Sequence, residues 1–238
     1  MCIRDRLDGA GQEGVWLGAE ATERLLSAFG VTTAMARVVH DAEAAVRAAR
    51  EIGGKVAVKS AAPVHKTELG GVHLGLEAPE DISEAVYAIS RELVRAEHGE
   101  LEEHGFLVQA MAGEGVEMMV GVTHDATFGP ILVAGMGGTL VELLRDVSVR
   151  IHPLTDTDVR DMLTSLRGYP LLTGYRGAPP ADIAALEDLL YRLSALVEEV
   201  PELAELDCNP VFVHREHNGV TVVDARVRLA PGHRRPRR

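Results

Sequence analysis

Three lysines are all this chain has, and Lys55, Lys59 and Lys66 lie at or beside one stretch, VAVKSAAPVHKTELGGVHLGL, residues 56–76. The permanent cations elsewhere are arginines. Strand alternation in VAVKS sets Val56 and Val58 on one face and Ala57 and Lys59 on the other, so a core strand can aim an ammonium outward. A lysine ammonium is a compact point charge suited to phosphate oxygens. The plainer reading is a strand-end lysine in solvent. His65 follows in a loop, with Pro63 before it and Gly70-Gly71 after it. A near-neutral imidazole attacks phosphorus without a helper base. A loop stiff at one end and hinged at the other can carry such a group between two sites. An ordinary surface histidine is the alternative.

Two further clusters bear oxygen and amide groups. GMGG, residues 135–138, follows the apolar PILVA and precedes Glu142 and Asp146. Backbone amides at Gly137 and Gly138 can cradle an anion, while a plain tight turn, with Glu142 and Asp146 as surface acids, is the other reading. The spacing is neither GxxxxGK[ST] nor GxGxxG, so the two commonest nucleotide fingerprints are absent. In ELDCNP, Asp207 and Asn209 point the same way on a strand, and VVDAR returns Asp224 and Arg226 on its neighbour after the Asn218-Gly219 turn. Carboxylate and amide oxygens suit Mg²⁺, which keeps a partly hydrated shell. The hairpin register is open at this level, so whether Asn209 meets Asp224 is left to the fold.

The elements that must hold these groups alternate irregularly. Residues 17–29 read as a helix ended by Gly30, VTTAMARVV as a strand, and DAEAAVRAAREIGG as a helix capped by Asp41 and stopped by Gly53-Gly54. VAVKS and VHLGL are strands on either side of the histidine loop. PEDISEAVYAISRELVRAEHG is a helix, and GFLVQAM and GVEMMVGVT are strands split at residues 112–115. FGPILVAGMGG is a buried strand and VELLRDVSVRIHPL an extended run. A helix starts near Thr155, and another spans roughly 180–199 on leucines 186, 189, 190, 193 and 196. Strict βαβα alternation is missing, which predicts an α+β fold in two lobes divided near residue 110.

Composition bounds the partners. At 238 residues with 46% hydrophobic content the chain can bury a real core. A formal charge of -12 repels phosphate backbones and anionic headgroups, so nucleic acid and membrane are not expected partners. Cys2 and Cys208 stand far apart with no CxxC spacing, which argues against a disulfide framework or a zinc site and for a cytoplasmic protein. MCIRDR and the glycine-rich LDGAGQEG fit no element, so residues 1–16 read as linker or artefact; the terminal RRPRR, within 231–238, reads as a solvated basic tail.

In this order and spacing, VAVKSAAPVHKTELGGVHLGL, GFLVQAMAGEGVEMMVGVTHDATFGPILVAGMGGTLVELLRDVSVRIHPL, and ELDCNPVFV with VVDAR resemble one family across residues 17–229. That family is the ATP-grasp, or beta, part of the ADP-forming acyl-CoA synthetases. The resemblance implies an ATP-grasp fold, with an N-terminal lobe over 17–110 and a C-terminal lobe over 111–230 enclosing a nucleotide cleft. It implies ATP or ADP with Mg²⁺ as cofactors, and acyl-CoA + ADP + phosphate ⇌ acid + CoA + ATP as the overall reaction of an acid-thiol ligase. Lys59 is similar to the family lysine on the phosphates, Gln109, Ala110 and Met111 to the hinge that reads adenine, and Glu117 to the glutamate near the ribose. Asn209 and Asp224, with Asp207 nearby, look like the metal ligands, and Arg226 like a phosphate arginine. His65 matches the phosphorylated histidine, and Glu142 the acid that steadies it. Threonine and glutamate in HKTE stand where the family often has serine and aspartate.

The chain carries no CoA-binding Rossmann unit, so a CoA-binding alpha partner that supplies acyl phosphate is expected. A second reading is a nucleotide-sensing, non-catalytic module of a protein acetyltransferase fusion. A carboxylate–amine ligase of the wider ATP-grasp fold is a third, weaker because such enzymes do not need the HK loop.

Overall fold

The computed structural model describes residues 14–61, 71–95, 105–138 and 145–231. The histidine loop, Glu142, Lys66, the start of the chain before residue 14 and the basic tail from residue 232 lie outside the described residues. Two compact units emerge: Gly18–Ala21 with Ala34–Ala112 form one, and the described parts of Met1–Leu17, Thr22–Thr33 and Gly113–Arg238 form the other. Helix and strand mix in both, which makes the fold α+β as expected.

In the first unit, strands β2 (Ala36–Val39), β3 (Val56–Ser60), β4 (Val72–Leu76) and β5 (Phe106–Ala110) form a sheet in the order β2-β5-β3-β4. All its pairings are antiparallel. Helix α1 (Ala19–Ala28) precedes β2 in the chain. Helices α2 (Ala42–Ile52) and α3 (Pro79–Arg95) bury their apolar stripes on one face, where Val56, Val58, Phe106 and Val108 meet Ala45, Val86 and Ile89. Asp41 caps α2 as its position foretold, its carboxylate accepting from the Ala44 amide at 2.7 Å. Gly53 ends the helix at φ 78, the left-handed backbone that glycine adopts without steric cost.

The second unit is built on a longer sheet in the order β1-β11-β9-β6-β7-β8, with β10 also paired to β9. Its strands are β1 (Val15–Trp16), β6 (Val116–Asp125), β7 (Gly129–Met136), β8 (Val147–Ile151), β9 (Leu203–Val213), β10 (Val220–Val222) and β11 (Ala225–Leu229). Helices α4 (Asp156–Thr164) and α6 (Ile183–Glu199) pack on one face. There Met118, Val120, Leu132, Met162, Leu186 and Leu190 are fully buried. Burying six such side chains contributes roughly 10–15 kcal/mol of gross hydrophobic stabilisation, most of it offset by chain entropy. The α4 start is a capping box, in which Thr155 and Asp158 satisfy each other's backbone amides.

Three features depart from the sequence reading. Val15 and Trp16, grouped there with the linker, pair antiparallel with Leu229 and Arg228, and the Arg228 guanidinium sits 5.8 Å from the Trp16 ring centre. Two residues carry too little pattern to read as a strand, and only the exposed edge of β11 reveals their role. The four-residue helix α5 (Tyr169–Leu172) escaped notice because it is shorter than one apolar repeat. The returning arm of the last hairpin is two strands, β10 and β11, interrupted at Val223 and Asp224.

Candidate functional site

Lys59 sits in β3 opposite Leu107 of β5 and Val72 of β4. Val56 and Val58 face the helices, so the alternation turns Ala57 and Lys59 to the other face, where Leu107 and Gln109 of β5 join them. All four are buried, Lys59 and Gln109 at 5% exposure each. This excludes the solvent-exposed, strand-end reading of Lys59: a lysine so enclosed has given up bulk hydration.

At the end of β5, the Ala110 amide donates to the Met35 carbonyl at 2.8 Å and the Met111 amide to the Lys55 carbonyl at 3.1 Å. Both amides are therefore spent within the unit, and an incoming base would have to meet other groups of this segment. The Met111 side chain is exposed.

In the second unit the register left open above is fixed. Ala225 pairs with Cys208 and Arg226 with Asp207. One step further along, the Asn209 amide donates to the Asp224 carbonyl at 3.0 Å, and the Val223 amide to the Pro210 carbonyl at 3.0 Å. The ladder thus runs unbroken through the gap between β11 and β10. Because cross-strand partners share a face, Asp207, Asn209, Asp224 and Arg226 project together, away from the core that Cys208 fills.

Partial burial pushes the Asp207 carboxyl above the usual carboxylate range; the Arg226 guanidinium opposes that shift, while Asp224 and Glu205 add to it. Glu205 was not singled out from sequence, although its position two residues before Asp207 puts it on the same face. It is engaged by Arg228 at 3.2 Å. Two carboxylates and an amide, one of the acids partly desolvated, form a donor set that a hard divalent cation would relieve, and Mg²⁺ needs only one or two protein carboxylates beside waters and phosphate oxygens. Among the described residues no three His, Cys, Asp or Glu side chains gather into a closed metal cage.

The glycine turn lies against β6 in the same unit. The Gly137 amide donates to the Glu117 carbonyl at 2.7 Å, so that amide is not free to cradle an anion. Asp146, read from sequence as a surface acid, is instead 7% exposed. Its carboxylate accepts from the amides of Arg167 and Gly168 at 2.8 and 2.7 Å, at the entrance to α5. Its sequence neighbours gave no hint of that, because both donors lie some twenty residues downstream.

Comparison with known proteins bears on what these faces do. A family model described as ATP-grasp domain matches residues 10–229. The chain belongs to the ATP-grasp family. Within it, this ATP-grasp chain is 38% identical to the acetate–CoA ligase (ADP-forming) II subunit beta of Pyrococcus furiosus over 210 residues, 87% of this chain and 89% of that subunit. Among solved structures it matches the dinucleotide forming acetyl-coenzyme A synthetase 1 of Ca. Korarchaeum cryptofilum in complex with coenzyme A, Ca-AMPCP and HgCl⁺. The TM-score is 0.86 and the identity 36%, covering 95% of this chain and 97% of that one. A second structure of that synthetase, with coenzyme A and Mg-AMPPCP and its phosphohistidine segment pointing towards the nucleotide-binding site, matches at TM-score 0.77 and 37% identity over 95% and 99% of the two chains. The likeness at this level of identity places the chain with the beta parts of the ADP-forming acyl-CoA synthetases. No described helix of this ATP-grasp chain is long and apolar enough to cross a membrane.

Proposed function

We propose that this chain is the nucleotide-handling beta part of an ADP-forming acid–CoA ligase. The observation that carries the reading is the strand pairing that sets Asp207 with Arg226 and Asn209 with Asp224 on one sheet face, in a chain alike over nearly its whole length to a ligase beta subunit. In this reading the two units are the two lobes of the fold, with the boundary near residue 110. Lys59 holds phosphate oxygens, Gln109 to Met111 flank the base, Glu117 meets the ribose, and Gly137 and Gly138 line the nucleotide. Asn209, Asp224 and Asp207 would hold Mg²⁺, which neutralises charge on the phosphates when bound. Arg226 takes a further phosphate oxygen, in the planar geometry for which guanidinium is suited.

His65 is the acceptor. Its imidazole nitrogen attacks the terminal phosphorus of ATP, the bond from that phosphorus to the bridging oxygen breaks, ADP leaves, and the ring sheds a proton as the neutral phosphoimidazole forms. In the reverse direction the phosphate returns to ADP. Glu142 steadies the ring while it carries positive charge, between attack on phosphorus and loss of that proton. Catalysis here is mainly positioning and charge neutralisation, which a lysine, an arginine and a bound cation supply.

The partner is a CoA-binding alpha subunit or domain that exchanges phosphate with His65 as acyl phosphate is made or used. Similarity to a beta subunit supports such a partner, and kinship to ligases favours catalysis over a sensing module fused to an acetyltransferase. A cytoplasmic setting completes the reading and rests on the sparse, unpatterned cysteines.

The test is phosphate transfer from terminally labelled ATP with Mg²⁺ to the purified chain, followed by acid-lability analysis and peptide mapping, with His65→Ala as control. Acid-labile label on His65 is expected. Nucleotide binding with no label at His65, even with an alpha partner and acyl phosphate supplied, would overturn the relay.

A further inference from the structure

The glycine turn after β7 is tied to Glu117 at two levels. Its backbone is held by the Gly137 amide on the Glu117 carbonyl at 2.7 Å. A β-carbon on Gly137 would fall 2.7 Å from the Glu117 carbonyl carbon and 2.9 Å from the Met118 nitrogen, inside van der Waals contact with fixed backbone. Gly138 differs. Its φ is +65, and a β-carbon there would lie 2.6 Å from Oε2 of Glu117, the far end of a flexible side chain, with Cδ 3.6 Å away. The first glycine is required by the surrounding main chain, the second by its own left-handed backbone and by the Glu117 carboxylate.

We propose that Gly138 is a positioning residue for Glu117, and that the room left by its missing β-carbon lets this chain select ribonucleotides over deoxyribonucleotides. The inference rests on the reading of Glu117 as the group that meets the ribose. A side chain at 138 pushes the Glu117 carboxylate aside and leaves the backbone pairing of Gly137 intact. The consequence is a misplaced acceptor for the ribose hydroxyls, with the sheet undisturbed. A hydrogen bond from a sugar hydroxyl to a placed carboxylate is a charge-assisted one, strong enough for discrimination on the order of tenfold or more. The function of this turn is then to hold the acid that reads the sugar, and not to offer its first amide to phosphate.

The experiment measures binding of Mg-ATP, Mg-2′-deoxy-ATP and Mg-3′-deoxy-ATP by calorimetry to the full chain and to Glu117→Ala, Gly138→Ala, the double variant and Gly129→Ala. Gly129 also has positive φ, +78, but nothing lies within 4 Å of its β-carbon position, so its alanine variant reports backbone strain alone. The expected result has four parts. The wild-type chain prefers ATP over at least one deoxy analogue by roughly tenfold. Glu117→Ala abolishes that ratio, Gly138→Ala lowers it several-fold and adds nothing in the Glu117→Ala background, and Gly129→Ala leaves it unchanged. If Gly138→Ala fails to fold, Gly138→Asn takes its place, since asparagine tolerates the left-handed region.

A wild-type ratio in Gly138→Ala beside a lost ratio in Glu117→Ala overturns the positioning role and leaves the ribose reading standing. A ratio near one in the wild-type chain, unmoved by Glu117→Ala, overturns the ribose reading and the proposal with it.

Discussion

The backbone amide of Asn209 donates to the carbonyl of Asp224 at 3.0 Å, across the break between β10 and β11. That bond sets two oxygen-bearing side chains from distant sequence positions on one face. Asn209→Ala and Asp224→Asn should each weaken Mg-ATP binding by about tenfold or more while metal-free nucleotide binding changes little, because the first removes an oxygen donor and the second replaces an anionic oxygen donor by a neutral amide. Calorimetry with and without Mg²⁺ checks this. Equal losses in both conditions would assign the pair to the nucleotide itself.

Lys59→Met should cost the chain most of its affinity for ATP, and less for adenosine, since the ammonium is assigned to phosphate and a methionine of similar length fills the buried position. A competition assay with the two ligands separates these. Unchanged affinity for ATP would return Lys59 to a packing role.

Asp146→Ala should lower the thermal midpoint by several degrees, about 2–4 kcal/mol, because the partly buried backbone donors at Arg167 and Gly168 lose their shared, charged acceptor. Asn in its place should recover part of the loss. Thermal unfolding followed by circular dichroism reads both.

Cys208 should resist thiol reagents in the folded chain. Its side chain is fully buried, and burial, with the fields of Asp207 and Asp224, drives the thiol well above its ordinary range, so thiolate is scarce. Timed alkylation with peptide mapping, native and in denaturant, should show labelling of Cys208 only on unfolding. Rapid native labelling would contradict the packing of β9.

The capping box of α4 carries a pH signature. Hydrogen bonds from the Thr155 hydroxyl and amide hold the Asp158 carboxyl below its ordinary value of 3.8. A lowered folded value means that the capping contribution is complete above 3.8 and is lost as pH falls through the folded value. Carboxyl NMR should place the Asp158 midpoint under 3.8, and Thr155→Ala should move it upward. A midpoint at or above 3.8 would show that the cap does not form in solution.

Local chemistry was legible from the sequence alone. The helix bounded by Asp41 and Gly53, the capped start at Thr155 and the strand alternation around Lys59 each follow from contacts within a few residues, so pattern sufficed. The ordered motifs also carried the family, and with it the ATP-grasp fold. What neighbours in sequence could not state was register and burial. Whether Asn209 meets Asp224 depends on where a hairpin bulges. Asp146 read as a surface acid because its partners come from a loop beyond α4, and Val15 and Trp16 became a strand only because β11 offered them an edge. Gly138 looked like part of a phosphate cradle until β7 laid it against Glu117. Sequence determined which groups exist and what local geometry each prefers; the tertiary fold decided which of them meet, because contacts between distant segments depend on the packing of whole sheets.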